Sequence, residues 1–122
     1  MCIRDRYSDV FKNNSSSFLG SGVVFNKFTG SRGKSGSNDA NAEYLAVLRN
    51  IMDNHNVHFQ MSELGKVDAG GGGTIAYIMS LYGMEVIDCG VAVLNMHAPW
   101  EVTSKADIYE TYKCYKAFLK NA

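Results

Sequence analysis

The 122-residue chain carries no surplus of charge: 12 Lys and Arg balance 12 Asp and Glu, for a formal net charge of +0 and a pI near 6.8. That balance removes the electrostatic case for nucleic acid or for an anionic membrane surface. No apolar run approaches the ~18 residues of a membrane span. No basic start followed by an apolar run and a small-residue cleavage site marks a secretory leader. Cysteine is sparse as well. Cys2, Cys89 and Cys114 are odd in number and far apart, with no Cys-x-x-Cys pair. They exclude a disulfide framework and a zinc knuckle, and read as reduced, buried, cytosolic thiols. No internal repeat is visible. What the chain does have is apolar residues, 46% of the total. That suffices for one domain, or part of one, burying roughly two thirds of its unfolded surface.

Met1-Cys2-Ile3-Arg4-Asp5-Arg6 fits nothing downstream and resembles a translated sequencing-adapter read-through. Residues 1–6 are therefore expected to be a non-native leader, and residues 7–122 a segment of a protein that extends upstream. Residues 13–17 are polar and read as loop. Residues 22–28 are apolar and β-branched, hence a strand. Residues 29–37, rich in Gly, Ser and basic side chains, read as an exposed loop. Asn38 or Asp39 is expected to cap a helix running to about Asn54, with Tyr44, Leu45, Leu48, Ile51 and Met52 on its apolar stripe. A short strand follows at 57–61, then a loop, then a buried-looking helix over 74–82 stopped by Gly83. Residues 85–89 begin a strand that resumes at 91–94 after Gly90. Ser104 is expected to cap the last helix, with Asp107 as its capping-box acid. The predicted core stripe of that helix is Ile108, Tyr112, Tyr115 and Leu119, with Phe118 beside it. Strands alternating with helices predict an α/β sandwich with at least partly parallel pairing.

Two segments flank one strand and carry the chemistry. Asp68-Ala69-Gly70-Gly71-Gly72-Gly73-Thr74 leads into a helix, and its glycines let backbone approach a ligand closely. It is not a dinucleotide fingerprint, because the third glycine of that pattern would fall at Ile75. It is either a plain tight loop or a rest for an anion or substrate backbone on free amides. Gly30-Ser31-Arg32-Gly33-Lys34-Ser35 imitates a phosphate-binding loop, but Phe28 occupies the position of the required first glycine. A flexible basic loop near a substrate entrance or subunit contact is the better reading.

Three histidines are present. His55 and His58 sit among Asn residues at a loop-to-strand junction and read as surface groups. Three apart on a strand, they would face opposite ways and share no metal. His97 is different, placed after an apolar strand and just before Pro99. The residues alone leave a structural histidine and a ligand equally open. Glu101, four residues on, either accepts from the other imidazole nitrogen or caps local backbone amides. Asp68 is read as a loop brace, and Asp88 as a strand acid that needs hydrogen bonds if buried.

Residues 68–76, then Val86-Ile87-Asp88-Cys89-Gly90, then Leu94-Asn95-Met96-His97 with Glu101, resemble the end of the aspartyl aminopeptidase family. Residues 13–120 are similar to its bacterial members, the loop at 30–37 included. The resemblance implies a three-layer α/β/α sandwich of the zinc-exopeptidase type, with only its carboxyl-terminal part present. It implies a cytoplasmic enzyme that forms a large homo-oligomer and hydrolyses the amino-terminal residue from peptides by water activated on two zinc ions. It makes His97 a metal ligand, with Glu101 holding the other ring nitrogen. Lys27, Gly72, Gly73 and Thr74 become substrate contacts. Where the family usually has Ser after the histidine, this chain has Ala98. No catalytic residue is assigned here, since the family's catalytic glutamate and remaining ligands lie upstream; the segment alone is expected to be inactive. The alternative is a small free-standing α/β module that binds an anion or another ligand at the glycine loop without catalysis.

Overall fold

A run of two valines and a phenylalanine favours extended backbone, and the computed structural model makes it the centre of the fold. The model describes residues 16–29, 38–63 and 75–121. Its elements are β1 (Val23–Asn26), β2 (Phe28–Thr29), β3 (Asn38–Asp39), α1 (Ala42–Asn54), β4 (Phe59–Ser62), α2 (Ala76–Ser80), β5 (Asp88–Gly90), β6 (Val93–Leu94), β7 (Val102–Thr103) and α3 (Lys105–Asn121). β1 lies between β4 and β5. It pairs parallel with β4, Val23 opposite Phe59 and Asn26 opposite Ser62. It pairs antiparallel with β5, Val24 opposite Gly90 and Asn26 opposite Asp88. The partly parallel α/β pattern expected from the alternation is thus present. The leader at 1–6 and the glycine-rich stretches at 30–37 and 64–74 lie outside the described residues. No helix among the described residues is long and apolar enough to cross a membrane.

Alternation along β1 sends Val23 and Phe25 to one face and Val24 and Asn26 to the other. The Val23 and Phe25 face packs against Ile51 and Met52 of α1 and Cys114 and Ala117 of α3, with Val57 completing the core. Both long helices therefore form one layer on one side of the sheet. α1 buries Leu48, Ile51 and Met52 as its spacing predicts. Its cap is Asn41, whose side chain accepts from the Tyr44 amide at 2.7 Å. Asn38 and Asp39 do not cap, because both are extended in β3 and pair with β2.

Two other expectations fail. α2 buries only Ala76, while Ile75 and Leu81 stand 71% and 78% exposed; Gly83, at φ 73, still ends the turn that follows. In α3 the expected core residues Ile108, Tyr112 and Leu119 face outward and Tyr115 is only half-buried; Asp107, Cys114 and Ala117 are buried instead, while Phe118 packs against the core as expected. Small side chains at 114 and 117 let the helix approach the sheet closely. Asp107 fixes its rotation. Rather than boxing its own helix start, its carboxylate accepts from the amides of Gly20 at 2.8 Å and Gly22 at 2.9 Å.

Gly22 admits no side chain. Its φ is 87°, and a Cβ there would sit 2.1 Å from the His58 carbonyl oxygen, the group that accepts from Val23 to start the β1–β4 pairing. Gly22→Ala is expected to cost more than about 2 kcal/mol, since left-handed strain alone costs roughly 1–2. Urea unfolding checks it. A Gly20→Ala control, also at positive φ (81°) but with open space around it, should cost distinctly less.

Candidate functional site

The parallel pair β1 and β4 ends at Asn26 and Ser62, and β5 begins beside them at Asp88. Open α/β sheets bind ligands at this carboxyl edge of parallel strands. Asn26 is 1% exposed. Its Oδ1 accepts from the Ser62 hydroxyl at 2.5 Å, while its Nδ2 has no hydrogen-bond partner among the described residues. A buried donor without a partner costs about 1–3 kcal/mol and calls for an explanation. A position for a further acceptor at this edge is one. Sequence reasoning passed over Asn26; the available signal was a single amide closing an apolar strand.

Lys27 follows at the same edge. Its carbonyl accepts from the Ala40 amide at 2.9 Å, and its ammonium pairs with the Asp39 carboxylate in an exposed ion pair. The chain leaves β4 through Glu63 toward the glycine loop. The expected contacts Gly72, Gly73 and Thr74, and the predicted juxtaposition of that loop with His97, lie outside the described residues.

His97 stands on the connection of a separate two-stranded sheet. β6 and β7 pair antiparallel, Val93 opposite Thr103 and Leu94 opposite Val102. The Thr103 hydroxyl anchors the hairpin by donating to the Ala92 carbonyl at 2.8 Å. Between the strands, Asn95 and His97 adopt φ of 56° and 69°, and the Ala98 amide donates to the Asn95 carbonyl at 2.9 Å. Left-handed backbone at a residue other than glycine is uncommon, and such outliers gather at functional positions. The Glu101 carboxylate holds this conformation by accepting from the main-chain N–H of His97 at 2.5 Å. This contact is the backbone one of its two open readings, and it braces the loop that carries the ring. The His97 side chain is exposed.

His55 and His58 are surface residues, as expected. His55 follows α1, its Nδ1 2.9 Å from the Ile51 carbonyl oxygen, and the His58 amide donates to Glu110 at 2.8 Å. Among the described residues no three His, Cys, Asp or Glu converge into a metal site. Zinc sites use three or four protein ligands. His97 fits as one donor, and the described residues do not complete a zinc site.

The fold of the chain recurs in known proteins. Residues 2–119 match the family model of the aminopeptidase I zinc metalloproteases (M18). The chain is 66% identical over 115 residues to a probable M18 family aminopeptidase 1 of Clostridium acetobutylicum, covering 94% of this chain and 25% of that protein. It is 46% identical over 114 residues to the Thermotoga maritima counterpart, covering 93% of this chain and 25% of that one. The crystal structure of aminopeptidase I from Clostridium acetobutylicum superposes with a TM-score of 0.84 over 93% of this chain and 25% of that chain. The Thermotoga maritima M18 aminopeptidase gives 0.85 over 95% and 26%. The dodecamer PhTET1-12s, at 17% identity and a TM-score of 0.71, shares the fold. The chain thus spans about a quarter of the length of the relatives it matches, and its helices and mixed sheet form part of a zinc-exopeptidase fold. Agreement of sequence and structure over nearly all its residues places the chain in the aminopeptidase I zinc metalloprotease family (M18).

Proposed function

We propose that residues 7–122 are the carboxyl-terminal portion of the catalytic domain of a zinc-dependent aminopeptidase that removes the amino-terminal residue from peptides, with residues 1–6 a non-native leader. The observation that supports this most is the exposed imidazole of His97, held on left-handed backbone by Glu101, in a chain of a zinc metalloprotease family. Zinc bound in the complete enzyme, two ions in this reading, would supply Lewis acidity toward water. In this reading His97 offers one of them an imidazole lone pair. Glu101 positions His97 through the backbone. Lys27 exchanges Asp39 for a substrate group, and Gly72, Gly73 and Thr74 line the peptide backbone. The enzyme works in the cytoplasm as a large homo-oligomer; the dodecameric assembly of a fold relative is in line with the oligomer.

The 122-residue chain alone is expected to hydrolyse no aminoacyl anilide above background, with or without added zinc. A chimera in which it replaces the matching quarter of the Clostridium acetobutylicum relative is expected to regain zinc-dependent hydrolysis. A folded chimera with its zinc bound but no aminopeptidase turnover would refute the proposal.

A further inference from the structure

Phe25 and Cys89 stand opposite each other across β1 and β5, so Cys89 shares the sheet face that α3 covers. There it lines a cavity of ≈ 160 Å³ together with Cys114 of α3. The remaining wall is mostly apolar, made by residues such as Phe25, Leu48, Met52 and Phe118, with the hydroxyl-bearing rings of Tyr44 and Tyr115. Both thiols line this one cavity, and the Cys89 sulfur lies 3.5 Å from the Tyr115 hydroxyl. Cys114 is buried, whereas Cys89 is partly exposed and Tyr115 is 49% exposed at the cavity mouth. One thiol can meet a reagent while the other waits beside it in the core.

We propose that Cys89 and Cys114 are a redox-active dithiol, which a low-molecular-weight disulfide closes to an intramolecular bridge between β5 and α3. The Cys89 thiolate attacks one sulfur of the reagent; the Cys89–S bond forms, the reagent's S–S bond breaks, and one thiolate leaves. Cys114 then gives its proton to that departed thiolate or to solvent and attacks the Cys89 sulfur, releasing the second thiol. The protein loses two electrons and two protons, and the reagent gains both.

The surroundings assign these roles. The neighbouring Cys114 thiol is the main influence holding the Cys89 thiol down to about 7; the Tyr115 hydroxyl adds to it, against burial and the neighbouring Asp88 charge. Tyr44 of α1 faces the same sulfur and is itself raised, by burial first and then by Cys89 and Glu85. At pH 7 Cys89 then holds roughly tenfold more thiolate than an ordinary cysteine. Cys114 is pushed up, first by the neighbouring Cys89 thiol and then by burial and the Cys89 charge. Once Cys89 is a mixed disulfide that charge is gone, and Cys114 is freed to attack.

The test exposes the chain to glutathione disulfide near neutral pH, quenches with acid and maps the peptides. The expected product is a Cys89–Cys114 bridge that excess reduced glutathione reopens. Cys114→Ala should stop at a Cys89–glutathione adduct. The alkylation rate of Cys89 should titrate near 7, and Tyr115→Phe should move that midpoint upward while the fold persists. Two thiols still reduced, a stable mixed disulfide in the unsubstituted chain, or a bridge to Cys2 or to a second copy would each overturn the proposal.

Discussion

His97→Ala, made in the chimera with the Clostridium acetobutylicum relative, is expected to lower turnover by about 100-fold or more and to leave zinc below full occupancy. Removing the outer partner of a metal ligand already costs ~10–100-fold, and removing the ligand itself should cost at least as much. Stability should change by no more than about 0.5 kcal/mol, because the side chain is exposed and its loop is held through the backbone N–H, which alanine retains. A structural histidine gives the opposite pattern, with a lowered unfolding midpoint and full zinc in whatever stays folded. Zinc per chain, turnover and thermal midpoint on one preparation separate the two. Full zinc with near-normal turnover would end the ligand assignment.

The parts of this fold legible in sequence are those governed by local chemistry. α1 shows its buried face because Leu48, Ile51 and Met52 are large, apolar and correctly spaced. Gly83 ends its turn because left-handed backbone favours glycine. α3 misleads because periodicity assigns the largest apolar side chains to the core. There the small Cys114 and Ala117 set the close approach, and a carboxylate joined to glycines 85 and 87 positions away sets the rotation. No pattern within one helix reports such a contact. The cap of α1 was misplaced for a related reason: Asn38 and Asp39 are good caps, but strand pairing takes them and Asn41 serves instead. The place of His97 on a loop just past a strand follows from the apolar run that precedes it. The Glu101 bond to backbone depends on a left-handed φ at His97, a conformation that spacing does not reveal. Asn26 was missed because an amide inside a strand announces itself only once its burial is known.

Asp107→Ala should be the most destabilising single side-chain truncation in the helix layer, at about 3 kcal/mol. The carboxylate is 1% exposed and bridges the first turn of α3 to the turn that enters β1. Hydrogen bonds to a charged acceptor contribute about 1.5–3 kcal/mol each, and a buried donor left behind carries its own desolvation cost. The two amides differ. Gly20 is exposed and regains water when the carboxylate goes, whereas Gly22 is buried and its N–H is orphaned. Most of the loss therefore falls on Gly22 and on the start of the β1–β4 pairing beside it. A carboxylate serving only its own helix start would cost about 1 kcal/mol or less on truncation. Asp107→Asn should fall between, because it keeps one acceptor and turns a donor toward the second amide. Urea unfolding gives the magnitude, and amide hydrogen exchange gives the location. Protection should be lost at Gly22 and Val23 ahead of the α3 amides. A small loss confined to the first turn of α3 would restore the capping role and leave the rotation of that helix to Cys114 and Ala117 alone.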